Sequence, residues 1–114
     1  MITLSIKKKW FDMVLSGEKP DEYREIKPYY SVRFANALYF LGAYEIMNEV
    51  LHGNQSHSFQ VMFRNGYSSD SPSFIAECTL SISTGNEEWG AEKEREYYKL
   101  HIQEIVSKSN YIKS

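Results

Sequence analysis

The sequence predicts an α+β fold: a small curled sheet or barrel of short strands, with two helices in its N-terminal third. Three observations carry this. Residues 74–83 alternate cleanly, with Phe74, Ala76, Cys78, Leu80 and Ile82 on one face and Glu77, Thr79, Ser81 and Ser83 on the other. That is the period of a half-buried strand. Residues 8–16 place Trp10, Phe11, Val14 and Leu15 on one side at helical spacing. The chain has 114 residues, 42% hydrophobic and 25% charged, which suits one domain with one core.

The elements follow in order. Ile2, Leu4 and Ile6 alternate with Thr3 and Ser5, predicting a strand over 2–6. The helix over 8–16 is closed by Gly17, since glycine takes the left-handed conformation without a Cβ penalty. Pro20 forces Lys19 into an extended shape, and a second strand is expected over 21–27. Pro28 suits the first turn of a helix, expected from Tyr29 to about Asn36. Residues 37–41 extend that helix or form a strand, and 44–51 have a mild helical period. Residues 52–58, HGNQSHS, read as a surface loop. A strand over 59–63 is followed by a turn at Asn65-Gly66, where both residues accept positive φ. A polar loop over 68–72 leads into the 74–83 strand. An acidic loop over 84–96 surrounds Trp89, and the last strand runs from 97 to 105 with Tyr98, Leu100 and Ile102 on one face.

Charge narrows the possible partners. Thirteen Lys and Arg against fifteen Asp and Glu give a net charge of −2. Long duplex DNA is not the expected partner, because duplex affinity comes from neutralising phosphates. The charge is uneven, however. Residues 1–36 hold seven basic and five acidic side chains, whereas residues 37–114 hold six and ten. An anionic ligand is therefore expected at the N-terminal third, where Lys7, Lys8 and Lys9 either extend the positive surface or begin a solvated helix. No apolar run reaches the roughly 18 residues of a membrane helix, and the N-terminus has the wrong charge order for a signal peptide. A single cysteine, Cys78, fits a cytoplasmic chain. It falls on an apolar strand face and reads as a buried structural thiol.

Few motifs carry chemistry. His52, His57 and His101 show no metal-ligand spacing, so neither metal nor cofactor is expected. The segment Gly17-Glu18-Lys19-Pro20-Asp21-Glu22-Tyr23-Arg24 packs two basic and three acidic side chains into a helix-to-strand junction. On the strand, Glu22 and Arg24 share a face. Such a cluster is either a solvated charged junction or a device that positions an anionic or amide-bearing ligand. The aromatic residues number nine Tyr, six Phe and two Trp. Trp10 and Phe11 are expected in the core. Tyr23, Tyr29, Tyr67 and Trp89 are candidates for a cleft wall that stacks unpaired bases.

The segment GEKPDEYR fits the GxKxxExR pattern of the ASCH domain, a PUA-like family, with Gly17, Lys19, Glu22 and Arg24 at its four positions. A LSIK strand and a WF-containing helix precede it and REIKPYY follows. The stretches FRNGYSSDSPSF and EEWGAEKEREYYKLHI resemble later parts of small bacterial and phage members. The resemblance covers nearly the whole chain and is weakest over residues 37–58. It implies a PUA-like β-barrel with flanking helices, a cleft lined by the motif, and RNA or a nucleotide as ligand. Some small bacterial members hydrolyse the amide of N4-acetylcytidine. In those a lysine corresponds to Lys19, a threonine nucleophile to Glu22, and a later glutamate to Glu77. A carboxylate at position 22 removes that nucleophile and leaves Glu22 as a base on water or as a partner of Lys19 or Arg24. The expected site is therefore Lys19, Glu22 and Glu77 for catalysis, with Gly17, Tyr23, Arg24, Tyr67 and Trp89 binding the ligand. Three functions stand open: an RNA- or nucleoside-binding domain, an amidohydrolase on an acylated nucleoside, and a protein-interaction module using the 84–96 loop. Oligomeric state is not legible.

Overall fold

Strand alternation builds most of the architecture. In a computed structural model, which describes residues 1–39, 48, 50 and 52–109, the chain forms an α+β fold on one mixed sheet of five strands. The elements are β1 (Ile2–Ser5), α1 (Lys8–Ser16), β2 (Asp21–Arg24), α2 (Pro28–Tyr39), β3 (Phe59–Arg64), β4 (Ser73–Thr84) and β5 (Glu96–Ser109), with a one-turn 3-10 helix at Glu87–Trp89. The sheet order is β1-β3-β4-β5-β2. The β1–β3 pair is parallel and the other three pairs are antiparallel.

The inward residues of β4 (Phe74, Ala76, Cys78 and Leu80) meet Leu4, Phe63 and Leu100 from neighbouring strands and Phe11 and Phe34 from the helices. Burial pushes the Cys78 thiol up to about 12, so it packs as an inert apolar group. In β5 the ladder with β4 skips Gln103 and Val106. Such extra residues bend a strand and increase its twist. They let β5 run to Ser109 rather than stop at residue 105.

Other boundaries shift for visible reasons. β2 ends at Arg24, not Lys27, because the Lys27 carbonyl accepts the backbone N–H groups of Tyr30 and Ser31 at 3.0 and 2.9 Å. It thereby opens α2. Residues 37–39 continue that helix, with Phe34 and Leu38 buried one turn apart. The 52–58 loop is stitched to β4 by Ser56, whose N–H reaches the Leu80 carbonyl at 2.8 Å while its Oγ accepts the Leu80 N–H at 2.8 Å. The helical period over 44–51 lies largely outside the described residues.

β1 and β2 are the two edges of the sheet, and the ladder does not join them. The expected closed barrel is therefore not what the backbone pairing shows among the described residues. A side chain spans the gap instead. Arg24, at the end of β2, donates from Nη2 to the Ser5 carbonyl at the end of β1, at 2.8 Å. No described helix is long and apolar enough to cross a membrane.

Candidate functional site

The helix-to-strand junction builds the centre of the site. Gly17 ends α1 at φ 86°. Its N–H bonds the Val14 carbonyl at 3.1 Å, and the Lys19 N–H bonds the Met13 carbonyl at 3.0 Å. These bonds turn the chain back under the helix. The Pro20 carbonyl then accepts the Ile102 N–H at 2.8 Å, aligning β2 with β5. Glu22 lies opposite Leu100, which lies opposite Leu80, so the Glu22 carboxylate points to the core face of the sheet.

There it meets Lys19. Lys19 Nζ donates to Glu22 Oε1 at 2.7 Å, and the Tyr23 N–H donates to the same oxygen at 3.0 Å. Lys19 is 0% exposed and Glu22 5%. The ammonium also sits 5.1 Å from the Trp10 ring centre and 5.4 Å from that of Tyr23, within cation–π range. Glu22 Oε2 differs from its twin. It is buried and has no hydrogen-bond partner among the described residues. Arg24 Nη2 stands 3.7 Å from it, beyond hydrogen-bond length. A buried acceptor left unpaired costs about 1–3 kcal/mol.

Burial lowers the Lys19 pKa from its usual value, and the charge and hydrogen bond of Glu22 oppose that shift. The sign for stability follows. With a depressed folded-state pKa, this group's contribution is complete above the unfolded value of 10.5 and is lost as pH falls through the folded value. Tyr23 acts the other way, because burial raises its phenol above 10.0. Alkaline melting curves therefore mix two opposed effects, and the lysine must be read directly. In Glu22→Gln the Lys19 pKa will fall further, since its largest raising influence is gone. Titration of the lysine 13Cε and 15Nζ NMR signals checks this, and an unchanged or raised value contradicts the pairing.

Around this pair opens a cleft of about 750 Å3, lined by Glu22, Tyr23, Arg24, Tyr67 and Trp89. Trp10, Tyr30, Tyr97, Asn65 and Arg95 also belong to its wall. The size suits a small ligand. Lys19 lies behind Glu22, not on the cleft surface. The 84–96 loop forms one wall and is pinned by tyrosine hydroxyls. Asn86 N–H donates to Tyr23 OH at 3.0 Å and Glu92 N–H to Tyr97 OH at 2.9 Å. Gly90 presses on Trp10. At φ 99°, a Cβ added there would stand 3.0 Å from the indole. Gly90→Ala will therefore cost about 1–2 kcal/mol from the left-handed backbone alone. It will also displace the Trp10 ring, visible as a shift in tryptophan emission; an unmoved melting temperature and spectrum contradict this.

Two expected site residues do not join the cleft. Glu77 faces away from Ala76 and Cys78 on β4, opposite Gln60 and Glu104. It lines a separate hollow of about 650 Å3 with Met1, Arg33 and Phe59. Strand alternation puts it on the wrong face of the sheet for Lys19. Gly17 is the cap of α1, with nothing within 4 Å of an added Cβ; it positions Lys19 and contacts no ligand space. Trp10, expected in the core with Phe11, is only half-buried and lines the cleft. Adjacent helical residues point about 100° apart, so Phe11 and Trp10 do not share one target. Tyr30 and Arg95 carry no sequence signal for this role; loop and helix placement brings them in. His101 Nδ1 lies 2.8 Å from Asp21 Oδ1, and no cluster of three or more metal-ligating side chains occurs among the described residues. Comparison of the chain with protein-family models, curated proteins and solved structures returns no match in any of the three.

Proposed function

We propose that this chain is a PUA-like domain of the ASCH type that binds a base of single-stranded RNA, or a free nucleoside, in the cleft beside Glu22. The observation that carries the reading is the buried Glu22 Oε2, an acceptor without a donor among the described residues, at a cleft walled by aromatic rings. Unpaired bases are recognised by stacking on aromatic side chains and by hydrogen bonds to their edges. A carboxylate accepts from an exocyclic amine, as carboxylates do from cytosine N4. Cytosine, adenine and guanine carry such an amine and uracil does not. Arg24, held by Ser5 and 3.4 Å from the Tyr30 hydroxyl, fixes the cleft's positive side.

Tryptophan fluorescence titration with the four nucleosides and with short single-stranded RNA tests this. Amine-bearing bases will bind about tenfold more tightly than uridine, the lower end of the 1–3 kcal/mol a good base contact contributes. Trp89→Ala will weaken binding by about 1–3 kcal/mol through lost stacking. Equal binding by wild type and Trp89→Ala removes the cleft from the interaction.

A hydrolytic reading draws on one observation, the depressed Lys19 pKa beside a carboxylate. Glu22 would take a proton from water as the water oxygen attacks the carbon of an amide such as that of N4-acetylcytidine, and Lys19 would stabilise the oxyanion. Glu22 would then return the proton to N4 as the C–N bond breaks to give acetate and cytidine. Two features favour binding over turnover: the Lys19 ammonium is sealed behind Glu22, and Glu77 is on the other face. Release of acetate from N4-acetylcytidine, lost in the double variant Lys19→Met/Glu22→Leu, would reverse that preference. The protein-interaction reading is weaker, because Trp89 lines the cleft rather than standing out from the acidic loop.

A further inference from the structure

A second hollow adjoins the cleft, and its chemistry differs. It is about 560 Å3 and is lined by Thr3, Ser5, Lys27, Tyr29 and their neighbours. It shares Ser5, Arg24, Tyr30 and Tyr67 with the cleft, so the two are continuous. The cleft wall carries Glu22, Glu25 and Glu92 among its charges. The second hollow has two cations in its lining, Arg24 and Lys27, and no carboxylate. That is a local positive excess on a chain of net charge −2.

The two cations are organised around one ring. Arg24 Cζ is 5.8 Å and Lys27 Nζ 5.5 Å from the centre of Tyr30. Arg24 is fixed by its 2.8 Å bond to the Ser5 carbonyl. Among the described residues, the counter-ion of Lys27 is Glu25 at a loose 3.9 Å, and that carboxylate also faces Arg95 at 3.6 Å. Lys27 is about half exposed, so its ammonium is free to turn toward a ligand. Tyr67 presents an exposed ring at the rim, at 91%, and Tyr29 stands beside it with the Arg33 guanidinium stacked 3.5 Å from its ring centre. Two cations beside the open ring of Tyr67 match the pairing of backbone charge and base stacking used for single strands.

We propose that this second hollow is a phosphate subsite, with Lys27 and Arg24 holding the phosphate attached to the nucleoside whose base sits beside Glu22. The inference rests on the cleft reading above and narrows its ligand to one that carries a phosphate, in preference to free nucleosides. Arg24 stands at the junction of the two hollows and links base and phosphate recognition.

The test compares the four nucleosides with their 5′- and 3′-monophosphates by isothermal titration, on wild type and Lys27→Gln. On wild type, one monophosphate series will bind at least about tenfold more tightly than the nucleosides, the value of one charge-assisted hydrogen bond. That ratio will collapse toward unity in Lys27→Gln. For a short single-stranded RNA, the salt slope of log K will shrink by about 0.7 in the same variant, as for one lost phosphate contact. Circular dichroism melting confirms that this surface variant folds. If nucleosides and monophosphates bind wild type equally, the cleft reading stands and the phosphate subsite is wrong. A preference that survives in Lys27→Gln also overturns the subsite. Absence of binding by every compound overturns both readings together.

Discussion

Lys19→Met alone will destabilise the fold by about 3–5 kcal/mol, and adding Glu22→Leu will restore most of that loss. The reason lies in the enclosure of the pair. Lys19 is wholly buried and Glu22 nearly so, and their 2.7 Å contact is the lysine's charge partner. Removing the ammonium leaves a carboxylate with the Tyr23 N–H on one oxygen and only Arg24 at 3.7 Å from the other. Taking both charges away avoids that desolvation, because well-packed apolar side chains replace buried ion pairs at little cost. Arg24 keeps its Ser5 bond in either variant. Since small domains hold only about 5–15 kcal/mol in total, the single variant will sit close to unfolding. The double variant is thus the useful one: folded, but without the acceptor beside the cleft. Urea unfolding with an unchanged m-value measures the cycle, and nucleoside binding should be lost in the double variant. A single variant as stable as wild type would mean the pair is hydrated rather than buried.

Strand parity made part of this site legible and hid the rest. Glu22 and Arg24 were placed on one face by alternation alone, and the register with Leu100 and Tyr98 puts that face inward. The same rule, applied to Glu77 within its own strand, already set it opposite Ala76 and Cys78. Only its assignment to the Lys19 site by resemblance conflicted with that parity. What alternation does not encode is how far a charged pair at a sheet edge sinks into the core. Lys19 looked like a solvated junction residue because burial there comes from Trp10 and the returning helix cap, contacts between distant faces. The ends of β2 and β5 were also hidden. One is set by a carbonyl diverted into α2 and the other by two bulged residues, neither of which leaves a hydrophobic period to read. Sheet closure depends on where the edges β1 and β2 finish, and Arg24 bridging to Ser5 is a single tertiary contact without local sequence signature.

Tyr98→Ala will cost about 3–5 kcal/mol, and its effect will reach the cleft and the second hollow through α2. Tyr98 is 0% exposed. It lies opposite Arg24 on β2 and Ile82 on β4, and its ring meets Phe34 edge-on at 5.2 Å. Its hydroxyl lies 2.6 Å from Ser31 Oγ. Two residues of α2, one apolar and one polar, are thus docked on a single side chain. The helix they belong to also carries Tyr29 and Tyr30, which line the second hollow. Tyr98→Phe separates the contributions. It keeps the ring and removes the hydroxyl, so it should cost about 1 kcal/mol and leave nucleotide binding within about threefold, a shift below 1 kcal/mol. Tyr98→Ala opens a cavity under α2 and should loosen the helix from the sheet. Its melting temperature will drop by roughly 15 °C, and amide exchange will rise in α2 before it rises in β4. Uniform exchange across both elements would instead mean that α2 and the sheet unfold as one unit. In that case the position of Tyr30, and with it the spacing of Arg24 and Lys27, is fixed by the whole core rather than by this anchor.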